Sequence, residues 1–277
     1  MQLFGRNVGG DQPLFLIAGP CALESTDLVL RVADALRRLA DRHAILVIFK
    51  GSWDKANRTA ADAYRGPGLD AGLRMLEAVK RETGLPVVTD VHESDQVAAV
   101  AEVADMLQTP AFLARQTDLI EAVARSGRPA NLKKAQFQAP REMHHVLAKA
   151  RAAAVAAGLD TDRFLLCERG TSLGYGTLVN DFRGLDIMAE TGAPVVFDAS
   201  HSVQLPAGQG DRSGGERRYI PPLARAAAAV GIAGLFIETH PDPAAALSDG
   251  PNAWPLDALD ELIAKTLRID AVVKSYA

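Results

Sequence analysis

Nine consecutive residues, Lys50-Gly-Ser-Trp-Asp-Lys-Ala-Asn-Arg58, carry three cations and the hydrogen-bonding side chains of Ser52 and Asn57, directly after the apolar run Leu46-Val-Ile-Phe49. Lysines supply point charges and Arg58 a bidentate fork, a combination that suits a carboxylate or phosphate ligand. On an exposed helix such a run is only a solvated charge cluster, but the apolar run before Lys50 places it at a strand end. Lys133, Lys134 and Gln136 follow one later apolar run, and Arg169 follows another, so that two tips can grip a phosphate from two sides. Glu168 beside Arg169 leaves a structural ion pair open. Asp90, in Thr89-Asp-Val-His92, suits a hydroxyl or a metal-bound water, and Gln108 and Arg115 flank Pro110-Ala-Phe112. Cys21, His201, Glu238 and Asp249 add a thiolate, an imidazole and two carboxylates, a donor set for Zn, Fe or Mn with a position left for water or substrate. No short C-x-x-C or H-x-x-x-H spacing supports that set, and a buried Cys beside a hydrogen-bonded His is the plain alternative. His92 and His240 suit orienting roles, while His144 and His145 fall on a surface helix.

These residues need elements that bring them together. Eight short apolar runs end in the polar clusters: Phe15–Cys21, Ile45–Lys50, Val87–His92, Met106–Gln108, Asn131–Lys134, Phe164–Arg169, Val195–His201 and Leu235–His240. Between them the apolar spacing turns helical. Residues 26–42 place Val29, Val32, Ala33, Leu36, Leu39 and Ala40 on one face, and similar patterns cover about 70–82, 94–103, 118–126, 141–157, 177–190, 220–230 and 257–273. Asp118 with Glu121 resembles a variant capping box, and Gly127, Gly158, Gly192 and Gly231 stand at helix C-terminal caps. Eightfold alternation implies parallel strands, right-handed crossovers and closure, an α/β class (β/α)8 TIM barrel with every strand tip on one rim. A single domain over 1–277 is expected, because such barrels take ~250 residues. Met1 to Gln12 reads as a short β-hairpin capping the bottom, Gln204–Arg218 as a mobile lid, and Asp54–Gly68 as a second long loop on the top face.

Composition narrows the function further. Apolar residues make up 48% and charged residues 23%, with no uncharged apolar stretch of membrane-spanning length, and the first residues lack a signal peptide's basic start and apolar core. A cytoplasmic protein with no membrane partner is expected. The net charge of -4 argues against nucleic acid, yet Lys50, Lys55, Arg58, Arg115, Lys133, Lys134 and Arg169 concentrate positive charge at the run ends, which attracts small anions. Cys21 and Cys167 are too few for a disulfide framework, and Cys167 reads as a small buried apolar residue. No G-x-G-x-x-G follows the first strand, and neither a P-loop nor a Ser-His-Asp arrangement is present.

Several segments together resemble one family, the 3-deoxy-D-manno-octulosonate 8-phosphate synthases, also called 2-dehydro-3-deoxyphosphooctonate aldolases. They are Ile17-Ala-Gly-Pro-Cys-Ala-Leu-Glu-Ser25, Asp54-Lys-Ala-Asn-Arg58, Tyr64-Arg-Gly-Pro-Gly68, Thr89-Asp-Val-His-Glu93, Pro110-Ala-Phe-Leu-Ala-Arg-Gln-Thr-Asp118, Cys167-Glu-Arg-Gly170, Phe197-Asp-Ala-Ser-His-Ser202 and Glu238-Thr-His-Pro-Asp-Pro243. The resemblance implies condensation of phosphoenolpyruvate with D-arabinose 5-phosphate, a step of Kdo and lipopolysaccharide synthesis. By the family pattern Lys50 and Lys55 face the phosphoenolpyruvate carboxylate and Lys133 and Arg169 its phosphate. Asn57 and Arg58, with Arg115 from a neighbouring subunit of a homotetramer, take the sugar phosphate. Cys21 resembles the metal-dependent branch, where the other branch has Asn, and His201, Glu238 and Asp249 match its remaining ligands. Gly51 and Trp53 depart from the smaller Ala or Ser and the Phe of the family, a change expected to bear on the sugar site. Three rivals stand beside this reading. An erythrose 4-phosphate synthase would carry Lys-Pro-Arg-Thr-Ser, absent here; a sialic-acid-type synthase would carry an extra C-terminal domain; a silent sugar-binding barrel would bind without turnover.

Overall fold

Eight parallel strands close into a ring in the computed structural model, which describes residues 1–58, 60–205 and 214–276. They are β1 (Phe15–Gly19), β2 (Val47–Lys50), β3 (Val87–Asp90), β4 (Met106–Thr109), β5 (Ala130–Lys133), β6 (Phe164–Glu168), β7 (Val195–Asp198) and β8 (Gly234–His240). Each pairs with its neighbour in sequence, and β8 pairs with both β7 and β1, aligning Gly234 with Val196 and with Phe15. Closure leaves the barrel no open edge. Eight helices alternate with the strands: α1 (Thr26–His43), α2 (Leu69–Thr83), α3 (Gln96–Val103), α4 (Thr117–Arg125), α5 (Met143–Ala156), α6 (Arg183–Ala189), α7 (Ile220–Val230) and α8 (Leu259–Lys274). The (β/α)8 TIM barrel expected from the sequence is the fold observed. Among the described residues no helix is long and apolar enough to cross a membrane.

The first helix shows how local chemistry sets an element. Extended Ser25 accepts the Leu28 N–H in its side chain, which satisfies one of the free donors of the first turn. Val29, Val32, Ala33, Leu36, Leu39 and Ala40 are then buried on the sheet, while the i,i+4 pairs Asp34–Arg38 and Arg37–Asp41 face outward. Burial of each large apolar side chain contributes roughly 1.5–3 kcal/mol.

Strand periodicity does the positioning. Phe15, Ile17, Ile48, Val88, Met106, Leu165, Cys167, Val196 and Phe236 form one cluster inside the barrel, while Leu16, Val47, Phe49, Val87, Leu107, Leu132, Leu166, Phe197 and Leu235 pack outward under the helices. With a period of two, Lys50, Asp90, Gln108, Lys133, Asp198 and Glu238 continue the inward rows, above the apolar layer. Leu3 and Val8 of the N-terminal hairpin (Gln2–Leu3 paired with Arg6–Asn7) join the inner cluster, so the hairpin closes the barrel base as expected. Its turn residues, Phe4 and Gly5, both have positive φ, the geometry of a tight two-residue turn.

Some expectations are corrected. The helix expected at 177–190 starts only at Arg183, because Thr171–Ser172 and Leu178–Val179 pair as an antiparallel ribbon. Asp118 makes no capping hydrogen bond and sits inside the first turn of α4. The four cap glycines do have positive φ. Of the expected lid, residues 206–213 lie outside the described residues; its described limbs pair Gln204–Leu205 with Gly214–Gly215.

The surroundings of Gly51 and Trp53 are close-packed. A Cβ on Gly51 would lie 2.4 Å from Leu23 Cδ2, so Leu23 fills the space a side chain would need. Trp53 is buried under α2, donating from Nε1 to the Asp90 carbonyl at 2.9 Å and meeting the His92 ring edge-on. Gly72 makes room for it, since a Cβ there would come within 2.3 Å of Trp53 Cβ. Gly72→Ala is therefore expected to cost about 1–3 kcal/mol of stability in urea denaturation by overpacking, whereas an unchanged midpoint would show that the indole has room to shift.

Candidate active site

The inward rows end at the C-terminal rim around a cavity of about 450 Å³. Lys50, Lys55, Asn57 and Arg58 line it from the β2 side, Asp90, Gln108 and Phe112 from β3 and β4, and Lys133, Gln136 and Arg169 from β5 and β6. His201 and Asp249 complete the lining. Four expected site residues are not in it. Cys21, Glu238 and Ser52 are buried outside the lining, and Arg115 stands outside on the surface, with Glu142 Oε1 at 3.7 Å.

Arg169 is the least compensated charge. Its side chain is 3% exposed, Nη2 donates to Gln204 Oε1 at 2.9 Å, and Nη1 is buried without a partner among the described residues, as is Gln136 Oε1. Burial lowers its pKa, with the carboxylates of Asp198 and Asp249 opposing. A buried donor without an acceptor is costly unless a ligand completes it, and a cationic guanidinium suits an anion. Beside it Lys133 Nζ donates to Asp198 Oδ2 at 2.5 Å and lies 4.0 Å from the centre of the Phe236 ring. Lys134 has the opposite parity and turns away from the cavity. Its ammonium donates to the carbonyls of Ala135, Gln138 and Gly170 and to Thr171 Oγ1, with Glu168 at 3.3 Å. Glu168 also accepts the backbone N–H groups of Arg169 and Gly170, so it pairs with Lys134 and leaves the Arg169 guanidinium free for the cavity.

Across the barrel, Lys50 Nζ donates to Glu238 Oε1 at 2.7 Å and to the Cys21 carbonyl at 3.1 Å. Burial works against its charge, yet the carboxylates of Glu238 and Asp90 hold its pKa above the ordinary lysine value. Asp90 accepts from Ser52 Oγ and, at 2.6 Å, from Gln108 Nε2, whose own Oε1 accepts from Asn131 at 2.8 Å. Ser52 in turn accepts from Lys55 Nζ at 3.0 Å, so it ties Asp90 to Lys55 from beneath. Burial raises the Asp90 pKa, but Lys50 and Lys55 outweigh it and hold the carboxyl well below the usual range. With a depressed folded pKa, the Asp90 contribution to stability is complete above about pH 4 and is lost as the pH falls through the folded value. The stability gap between the native chain and Asp90→Asn, measured by urea unfolding, should therefore shrink on acidification; a gap that widened would contradict this.

The third constellation is the donor set. Ligand atoms of Cys21, Glu238 and Asp249 all lie within 4.8 Å of one another, and His201 Nε2 is 3.7 Å from Glu238 Oε1 and 3.9 Å from Asp249 Oδ2. His201 Nδ1 faces Asp198 Oδ2 at 2.6 Å, which leaves Nε2 with its lone pair toward the carboxylates. Glu238 Oε2 is fully buried without a hydrogen-bond partner among the described residues. Among the described residues Asp249 is one of three non-glycine residues with positive φ, a strained backbone of the kind that concentrates at functional sites. The Cys21 thiol is pushed up to about 12 by burial and then by Glu238. An orphaned carboxylate oxygen beside sulfur, imidazole and a second carboxylate fits a divalent ion that neutralises both acids and takes the sulfur as thiolate.

Sequence reasoning passed over Asp198, Gln204 and Ser248. Asp198 is fully buried and accepts from Lys133, from the His201 ring and, at 2.9 Å, from the His201 backbone N–H. His201 and Lys133 hold it far below the carboxylate range against the opposing effect of burial. Its signal was available: it is the last inward residue of β7, three positions before His201. Ser248 stands in a loop and Gln204 in a two-residue strand, where no periodicity points to them.

Comparison with known proteins agrees with this site. The family model described as "DAHP synthetase I family" matches residues 5–273. A protein of Acidithiobacillus ferrooxidans named "2-dehydro-3-deoxyphosphooctonate aldolase" is 58% identical over 275 residues, covering 99% of this chain and 96% of its own length. Proteins of the same name from Verminephrobacter eiseniae and Xanthomonas oryzae pv. oryzae are 59% and 56% identical, each covering 100% of this chain and 97% and 98% of their own lengths. The chain belongs to the DAHP synthetase I family and, within it, groups with the 2-dehydro-3-deoxyphosphooctonate aldolases.

Proposed function

We propose that the chain is a transferase that condenses phosphoenolpyruvate with D-arabinose 5-phosphate and water, giving 3-deoxy-D-manno-octulosonate 8-phosphate and inorganic phosphate for Kdo and lipopolysaccharide synthesis. The observation that carries this reading is full-length identity near 58% to proteins of that name, on a rim whose two cationic ends stand opposite each other. In a ring of eight strands β2 is three strands from β5 and four from β6, so Lys55 and Arg58 stand across the cavity from Lys133 and Arg169.

The enol carbon of phosphoenolpyruvate attacks the aldehyde carbon of the sugar, water adds to the carbon that bears phosphate, and phosphate leaves by C–O cleavage. Lys133 and Arg169 hold the phosphate of phosphoenolpyruvate, Lys50 and Lys55 neutralise its carboxylate, and Asn57 and Arg58 take the sugar phosphate. Holding two polyanions together against their repulsion is a proximity and preorganisation effect. Lys50 suits this because Glu238 and the Cys21 carbonyl fix its ammonium before any ligand arrives. Asp90, kept ionised, accepts a sugar hydroxyl, and Phe112 and Gln136 bound the pocket. A Zn, Fe or Mn ion held by Cys21, His201, Glu238 and Asp249 would supply Lewis acidity for the aldehyde or the adding water.

The same reading makes the enzyme a cytoplasmic homotetramer. Both cysteines are free, which fits a reducing compartment. Arg115 is exposed, in company with Phe112 and Phe137, and suits a neighbour's sugar site better than its own. The test of the reaction is phosphate release from phosphoenolpyruvate with arabinose 5-phosphate against erythrose 4-phosphate. Preference for the five-carbon sugar is expected; preference for the four-carbon sugar would move the chain to the other activity that its family model's description names.

A further inference from the structure

One hydroxyl joins the two ends of the site that the mechanism treats separately. Ser248, 4% exposed, places Oγ 3.0 Å from Cys21 Sγ. The same oxygen accepts a hydrogen bond from Arg58 Nη2. Arg58 is anchored on its other edge, with Nε donating to the Tyr64 carbonyl at 3.1 Å and Nη1 lying 3.8 Å from Asp249 Oδ1. Ser248 immediately precedes Asp249, so the hydroxyl, the sulfur and a carboxylate of the donor set converge at the exit of β8.

We propose that Ser248 is a positioning residue that links Arg58, at the sugar-phosphate end, to the sulfur of Cys21. This rests on the metal reading of the donor set. A sulfur that ligates a metal is a thiolate and can only accept, so the Ser248 O–H donates to it. Its oxygen then keeps lone pairs for the Arg58 N–H, giving the relay N–H···O–H···S. A hydroxyl polarised by a guanidinium is the stronger donor. Donation to the sulfur fixes its direction toward the other ligands and draws charge from it, while acceptance from Arg58 holds the fork that receives the sugar phosphate. Hydrogen-bond partners of metal ligands commonly affect metal affinity by roughly 10- to 100-fold. Because binding linkage is reciprocal, the sugar phosphate and the metal should change each other's affinity through this oxygen.

The test is cobalt(II) titration of the full chain in competition with a chromophoric chelator, with and without arabinose 5-phosphate, reading the sulfur-to-cobalt charge-transfer band. Ser248→Ala should weaken cobalt binding roughly 10-fold or more and move the band to longer wavelength, since a thiolate relieved of its hydrogen bond gives up charge more readily. It should also remove the effect of the sugar phosphate on cobalt affinity. Ser248→Thr, which keeps the hydroxyl, should restore band and linkage. If alanine impairs folding, Ser248→Thr against the isosteric Ser248→Val gives the same comparison. Unchanged affinity, band and linkage in a folded hydroxyl-free variant would overturn the proposal. A native chain that takes up no cobalt would instead overturn the metal reading itself, and the proposal with it.

Discussion

Arg169→Ala should leave the barrel folded while kcat/KM for phosphoenolpyruvate falls by roughly 30- to 4,000-fold, the equivalent of about 2–5 kcal/mol for a buried charged hydrogen-bonding partner. The guanidinium has one protein acceptor, Gln204 Oε1, and an Nη1 with none among the described residues, at the wall of the cavity. Such a group costs stability in the free protein and recovers it only with an anion in place. Two readouts should therefore diverge. Urea denaturation should show no loss of stability, while steady-state kinetics show the loss of activity. Arg169→Lys should recover little, because a point charge cannot reproduce the planar fork on a phosphate. Activity within a few-fold of the native chain would remove Arg169 from the anion site and leave its missing partner unexplained.

Asp198→Asn should be as damaging by a different route. The native carboxylate is fully buried between Lys133 Nζ at 2.5 Å and His201 Nδ1 at 2.6 Å. Asn keeps the volume but cancels the charge, which leaves Lys133 a buried cation without its anionic partner, beside the Phe236 ring and His201 Nδ1 at 3.4 Å. Breaking a buried ion pair from one side costs about 3–5 kcal/mol. The same change leaves the imidazole without a charged partner at Nδ1, so the tautomer that presents Nε2 to Glu238 and Asp249 is no longer imposed. Stability and turnover should fall together, and the loss of turnover should persist at temperatures where the variant is fully folded. A variant that kept native turnover while losing stability would confine Asp198 to a structural part.

The two cases differ in how far they were legible. Arg169 could be read from the sequence because it follows an apolar run directly, and residues at such ends converge on one rim in a closed barrel. Lys133 and Lys134 could not be separated by composition, yet strand parity does separate them: Leu132 packs outward, so Lys133 points in and Lys134 out, to Glu168. Asp198 obeys the same rule and was hidden by the attention that His201 draws. Trp53 stood out only as a larger residue than the family's Phe, and its partners Asp90 and His92 could not be read from the sequence. Its Cβ lies directly against Gly72, a pairing that no local pattern carries. The overestimated helix at 177–190 failed because a two-residue ribbon leaves almost no periodic signature. Ser248 was invisible because its meaning depends on Cys21, 227 positions away.

All of these placements converge on one claim, that a cationic clamp and a metal-binding donor set act as a single catalytic centre. Phosphoenolpyruvate consumption with arabinose 5-phosphate, followed on chelator-treated protein before and after addition of Mn or Zn, tests it most directly. The account predicts that activity disappears on chelation and returns with the divalent ion. Full activity in thoroughly metal-free protein, or none under any metal condition, would contradict it.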